Sequence, residues 1–288
     1  MVVHDQAESL RRQVEHTREP GQAKTIAVVS GKGGVGKSNV ALNFALELLR
    51  HDNKVLLFDL DVGMGNIDIL LGLHAEKSIV DMFNNQLTVH DIIETGPRGI
   101  SYVAAGSGLT DFFTMNQEKR DYFFRQYDEL ITIYDYIIFD MGAGVTNDSL
   151  SFIVASDECI VVTTPEPTSI TDAYGMIKHI INRQQSMPVS VIMNRSSIKN
   201  GSQTMERFRL IVEQFLNIKI RKLGILPDDK TVSAAVVRQI PYVLLNEKAA
   251  VSRAIKDITI DYLQNGSEAK NQKSASFVQR LKAFVMER

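Results

Sequence analysis

Apolar, β-branched runs recur along the chain at Thr25–Val29, Val55–Phe58, Tyr136–Phe139, Ile160–Val162, Val189–Met193 and Lys222–Ile225, with Ile100–Ala104 a further candidate. Between them, apolar residues return every three or four positions, the spacing of helices with one buried face. This alternation predicts an α/β fold, a doubly wound and mainly parallel sheet flanked by helices. Two segments stand outside it. Residues 1–23 end in Pro20-Gly21, and residues 264–275 form a polar linker before a short terminal helix, 276–288. The domain proper is then expected over 24–263.

Composition narrows the classes. A chain of 288 residues that is 44% hydrophobic can bury a full core. A net charge of −2 supplies no overall basic field, so nucleic acid is not an expected partner. The single cysteine, Cys159, lies in an apolar run, which excludes disulfides and argues against a cluster-bearing electron carrier. The polar start with Asp5, Glu8 and Glu15 does not read as a signal peptide, and no apolar run approaches the roughly 20 residues of a membrane span. A cytoplasmic protein is expected.

The most specific chemistry follows the first strand. Gly31-Lys32-Gly33-Gly34-Val35-Gly36-Lys37-Ser38 fits the P-loop template, in which glycines let backbone N–H groups converge on phosphate oxygens. Lys37 adds a point charge for the β- and γ-phosphates, and the Ser38 hydroxyl suits Mg²⁺. A strand precedes the loop and the helical run Asn39–Arg50 follows it, the context the motif requires. Two further strands end in carboxylates. One runs into Asp59-Leu-Asp61-Val-Gly63-Met-Gly65-Asn66-Ile-Asp68, the other into Asp140-Met-Gly142-Ala-Gly144. Ligands of open α/β sheets collect at such strand ends.

Lys32, which an ordinary P-loop does not need, makes the loop resemble the deviant Walker A motif of the MinD/ParA family; with Lys37, Asp61 and Asp140 in order, the resemblance spans residues 24–263. It implies a Mg²⁺-dependent ATPase that dimerises on ATP, Lys32 reaching the partner's nucleotide, Asp61 orienting the attacking water beside the metal, and Asp140 holding hydrated Mg²⁺ as Walker B. Gly142 or Gly144 would present an N–H to the γ-phosphate. Asn194-Arg195-Ser196-Ser197 lacks the carboxylate that guanine-specific loops place at the fourth position, so ATP and ADP are expected ligands. By the same resemblance Asn194 contacts the adenine edge, Arg195 stacks on the ring, and Pro227 and Asp228 close the pocket. Catalysis at such a site is positional and electrostatic, with Lys37, and Lys32 from a partner, stabilising charge on the transferred phosphoryl group.

The segment Asp5-Gln6-Ala7-Glu8-Ser9-Leu10-Arg11 resembles the signature of the FlhG (YlxH) branch of that family. Members regulate flagellar number and placement, stimulate the GTPase FlhF through this segment, and contact flagellar C-ring proteins. Asp5 and Glu8 suit a reciprocal cap, and Ala7, Leu10 and Val14 form a narrow apolar stripe on a helix too short to persist without a partner. In the terminal helix Phe277, Val278, Leu281, Phe284 and Val285 share one arc of about 120°, bordered by Arg280 and Lys282. That arrangement suits insertion among lipid headgroups, and it resembles the membrane-targeting helix of MinD and FlhG; docking on its own domain is the other reading. The whole implies an ATP-driven switch cycling between cytoplasm and membrane. A MinD-type regulator of the division site is the alternative.

Overall fold

The computed structural model describes residues 22–61, 65–106, 117–144, 146–265 and 276–286. Eight strands form one sheet: β1 (Lys24–Val29), β2 (Val55–Leu60), β3 (Glu94–Thr95), β4 (Ser101–Val103), β5 (Tyr136–Met141), β6 (Glu158–Thr163), β7 (Val189–Met193) and β8 (Arg221–Ile225). Their spatial order is β3-β4-β2-β5-β1-β6-β7-β8. All pairings are parallel except β3 with β4. All six expected strands form, and the further candidate appears as β4. The two-residue edge strand β3 is too short to leave a periodic signal.

Helices fill the connections: α1 (Lys37–Arg50), α2 (Ile67–Leu71), α3 (Ile79–Asn84), α4 (Gln117–Ile133), α5 (Asn147–Ala155), α6 (Pro167–Arg183), α7 (Ile198–Leu216), α8 (Lys230–Arg238), α9 (Tyr242–Leu245), α10 (Ala250–Asn265) and α11 (Phe277–Met286). Successive strand residues point to opposite faces, so the sheet separates two cores. Ala27, Val29, Phe58 and Phe139 pack with residues of α4, α5, α6 and α11. Ile26, Val28, Leu57 and Ile138 pack with α1, α9 and α10. Because β1 sits between β5 and β6, its carboxyl end opens at the crevice where connections diverge to either side, the place where such folds bind ligands.

The terminal helix corrects one expectation. Its apolar arc does not face outward in this conformation: Phe277, Val278 and Leu281 are each at most 3% exposed. The Phe277 ring centroid lies 4.5 Å from that of Tyr127, 5.3 Å from Phe139 and 6.2 Å from Phe152. Arg280, expected at a lipid rim, pairs with Asp157 at 2.5 Å and donates to the Ala155 carbonyl at 2.6 Å. Lys282 lies 5.0 Å over the Phe124 ring, and Arg183 5.5 Å over Phe284. An apolar arc is drawn to whichever apolar surface is within reach, and here the groove between α4 and α5 supplies it. The side chain of Val285 lies outside the described residues, as do residues 1–21 and the linker 266–275.

At the opposite end of the sheet from the β1 carboxyl terminus, Glu158 is buried between β1, β7 and α10. It accepts from Lys24 at 2.7 Å, Ser190 at 2.6 Å and Tyr262 at 2.9 Å. Burial pushes its carboxyl pKa up, but Lys24 and the two hydroxyls outweigh that and hold it below its ordinary 4.5. A lowered carboxyl pKa stabilises the fold fully above the unfolded value, and the benefit fades as pH falls through the folded value. Glu158→Ala should therefore cost about 3 kcal/mol at neutral pH, since it strands Lys24, and the gap from wild type should narrow in strong acid. Urea unfolding at the two pH values checks this, and an undiminished gap in acid would refute it.

Candidate nucleotide site

The loop between β1 and α1 is held on three sides. Gly36 adopts φ 88°, the left-handed region, and a Cβ there would lie 2.5 Å from Asn194 Nδ2. Gly31 is pressed against α6 so closely that a Cβ would fall 2.2 Å from the Asp172 carbonyl oxygen. Gly144, after β5, donates its N–H to the Ser30 carbonyl at 3.0 Å. That commitment leaves Gly142 as the candidate donor to a γ-phosphate in this conformation.

At the mouth of the loop, Lys37 Nζ forms a short ion pair with Asp140 Oδ1 and lies 3.3 Å from Ser38 Oγ. The Lys37 side chain is 6% exposed and that of Asp140 is fully buried. Burial raises the Asp140 pKa, with Lys37 working against it. The second carboxylate oxygen, Oδ2, is buried without a hydrogen-bond partner among the described residues. An orphaned carboxylate oxygen near a serine hydroxyl is a hard-oxygen donor set, so Ser38 and Asp140 fit Mg²⁺. Asp61 follows the end of β2, the strand next to β5, and is part-buried. Three expected metal-site residues, Ser38, Asp61 and Asp140, thus come from three neighbouring elements.

Asp59 is the residue that motif reading passes over. It is 1% exposed and lies in register with Asp140 on the adjacent strand. Its Oδ2 accepts from the N–H of Asn66 at 2.6 Å and of Ile67 at 3.0 Å, and its Oδ1 from Asp61 N–H at 3.1 Å. Burial first, and the Asp140 carboxylate second, push its pKa up to about 7. Its place two residues before Asp61, at the end of a wholly apolar strand, was the available signal.

The base-binding candidates also converge. Asn194, Arg195, Pro227 and Asp228 line one cavity of about 580 Å³ with Gly36, Asn39, Val40, Val232, Val236 and Tyr242. Asn194 does more than border it. Its amide donates to the Val35 carbonyl at 2.7 Å, and its Oδ1 accepts from Arg195 N–H at 2.9 Å. It is a strut from β7 to the phosphate loop, with one amide hydrogen left for a base. Asp229, beside Asp228, caps α8 through Thr231 N–H at 2.8 Å and reaches α10 through Val251 N–H at 3.3 Å. The hydrophobic wall from α8 could not be read from the phosphate motif, because it arrives about 200 residues later.

Lys32 is placed apart from this centre. Its ammonium lies 3.3 Å from Thr168 Oγ1 and 3.6 Å from Glu166 Oε2, at the start of α6, with its side chain 43% exposed. Within one chain it does not join Lys37 and Asp140.

The strut has a measurable consequence. Asn194→Ala removes a hydrogen bond worth about 1 kcal/mol and loosens the loop, so affinity for ATP and ADP should fall alike, by roughly fivefold. Titration with fluorescent analogues of both nucleotides checks it. Weakening confined to ATP would place the effect at the γ-phosphate and contradict the strut.

Comparison with known proteins agrees with this geometry. A family model described as an AAA domain matches residues 23–193. The antiactivator FleN of Pseudomonas aeruginosa is 33% identical over 75% of this chain and 78% of its own. The flagellum site-determining protein YlxH of Helicobacter pylori is 34% identical over 71% of this chain and 69% of its own. Among solved structures, the MinD cell division protein of Aquifex aeolicus superposes with a TM-score of 0.67 at 26% identity, covering 84% of this chain and 98% of that one. MinD of Pyrococcus horikoshii, in complex with Mg-ADP, gives 0.69 at 20% identity over 87% and 99% of the two chains, a likeness of fold. On the matched family model and these sequence likenesses, the chain belongs to the MinD/ParA family of P-loop ATPases, in the group of FleN and YlxH.

Proposed function

We propose that the protein is a Mg²⁺-dependent ATPase switch that sets flagellar number or placement by dimerising on ATP and associating with the membrane. The observation that carries the ATPase reading is the buried Lys37–Asp140 pair with the orphaned Asp140 Oδ2, beside a 580 Å³ cavity suited to a base. With ATP bound, Lys37 exchanges its partner for the β- and γ-phosphates, the loop N–H groups hold the phosphate chain, and Asp61 orients water for in-line attack. Ser38 and Asp140 would hold Mg²⁺, which would supply charge neutralisation at the phosphates. Arg195 lines the base cavity, but no arginine occurs in the phosphate loop 31–38 or in the segments 59–68 and 140–144. Lys32, exposed at the rim and held among the described residues by Glu166 and Thr168, can swing to the nucleotide of a facing copy, which makes turnover slow and dimer-dependent.

Flagellar control rests on the likeness to FleN and YlxH and on the Asp5–Arg11 segment, which lies outside the described residues. Where the segment joins the body is clear: Ala23 N–H donates to the Ile131 carbonyl at 2.9 Å, at the amino end of β1. That is a strand length, about 20 Å, from the phosphate loop. On this reading the segment acts on FlhF and is dispensable for ATP hydrolysis, while C-ring proteins meet the domain. Residues 1–23 supplied as a peptide should raise GTP hydrolysis by a purified FlhF-type GTPase, and Gln6→Ala or Leu10→Ala should weaken the effect. No stimulation would favour the MinD-type reading instead.

The docked α11 gives membrane association a gate. Phe277 rests on Phe152 of α5, the helix that follows the Asp140–Gly144 loop. A γ-phosphate that reorders this loop loosens the groove and frees the helix. One freed helix binds lipid weakly, whereas two in a dimer bind together. Liposome sedimentation should then rise with ATP over ADP, with anionic lipid and with falling salt. A chain lacking 276–288 should lose sedimentation and keep ATP turnover. Equal sedimentation by both chains in both nucleotides would eliminate the membrane cycle.

A further inference from the structure

Asp59 makes no contact that a core residue needs. It is a buried carboxylate at the end of a strand otherwise composed of Val55, Leu56, Leu57, Phe58 and Leu60. Removing a carboxylate from water is costly, and here its compensation comes from three backbone N–H groups on either side of residues 62–64. Asp61 precedes that stretch, and Asn66 and Ile67 follow it. Asn66 occupies the cap position of α2 yet makes no side-chain cap bond, so the Asp59 carboxylate performs that task from the strand. The same strand position is in register with Asp140, the residue paired with Lys37.

We propose that Asp59 is a positioning residue for ATP hydrolysis, its carboxylate clamping Asp61 on one side and the start of α2 on the other so that Asp61 is held at a fixed place relative to Asp140. The inference rests on the reading of Asp61 as the water-orienting residue. Asp59 touches neither water nor nucleotide in this role. Only a carboxylate serves, because both oxygens accept; an asparagine at 59 would turn an NH₂ toward an N–H donor. Gly65 lies beside the clamp: a Cβ there would be in ordinary contact with Asp59 Oδ2 at 3.4 Å and closer, at 3.2 Å, to Ala105 Cβ.

The test is a double-mutant cycle on steady-state ATP hydrolysis by the full chain. Asp59→Asn should lower kcat about tenfold or more while the KM for ATP stays within about twofold, because nucleotide binding precedes the step that needs Asp61. Light scattering should still show an ATP-dependent dimer in this variant if wild type forms one. In an Asp61→Ala background the same change should cost nothing further. A purely structural role predicts otherwise: kcat and KM would deteriorate together, and the loss would multiply that of Asp61→Ala. Either result, or an unchanged kcat in Asp59→Asn, overturns the proposal. Should Asp59→Asn fail to unfold cooperatively, Asp59→Glu, which keeps both accepting oxygens but displaces them by one methylene, takes its place and must show the same split and the same silence in the Asp61→Ala background. A wild-type chain that does not hydrolyse ATP overturns the hydrolase reading itself, an outcome distinct from active wild type with an indifferent Asp59.

Discussion

The pair between Lys37 and Asp140 is the constraint from which the site is organised. Two opposite charges buried at the carboxyl ends of β1 and β5 are costly to desolvate and are tolerated only when they face each other. The pairing fixes Lys37 at the first turn of α1, and with it the phosphate loop leading into that turn. It also leaves Asp140 Oδ2 without a hydrogen-bond partner among the described residues, an oxygen suited to a cation.

The remaining contacts around the loop make it stiff without filling it. The Asp172 backbone approaches Gly31, Asn194 holds the Val35 carbonyl, and Gly144 bonds to Ser30. These anchors come from α6, β7 and the turn after β5, so movement of any one reaches the phosphates. A loop preorganised in this way needs little reordering when nucleotide binds, which is the general source of electrostatic catalysis. The anchor from the turn after β5 leads directly into α5, and α5 forms one wall of the groove that covers the terminal helix. The residues that brace the loop and the groove that receives the terminal helix are thus joined through α5.

Both ends of the domain meet at Asp157. Its Oδ2 accepts from Thr25 N–H at 2.7 Å, near where the amino-terminal segment leaves the body, and its Oδ1 accepts from Arg280 of α11. The helix is thus anchored at a charged hinge and by an aromatic cluster. Such a contact is strong enough to cover an apolar arc yet involves one short helix, which is the low-stability kind of element that conformational switches draw on.

The sequence by itself determined the sheet, the phosphate loop, and the order Lys32, Lys37, Asp61, Asp140, because each is a local property: a strand's apolar run, a helix's spacing, a glycine's freedom at φ 88°. Resemblance to the family, not local pattern, pointed to Arg195, Pro227 and Asp228, which line one cavity. What only the tertiary structure decided depends on partners far along the chain. Lys32 rests on Glu166, and Asn194 supports Val35, which lies 159 positions away. Asp59 looked like part of a carboxylate string until its three N–H donors were seen around it. The terminal helix shows the reason most plainly. Its amphipathic pattern is identical whether the apolar arc meets lipid or the ring of Tyr127, and a one-dimensional pattern records that a face must be covered without recording by what.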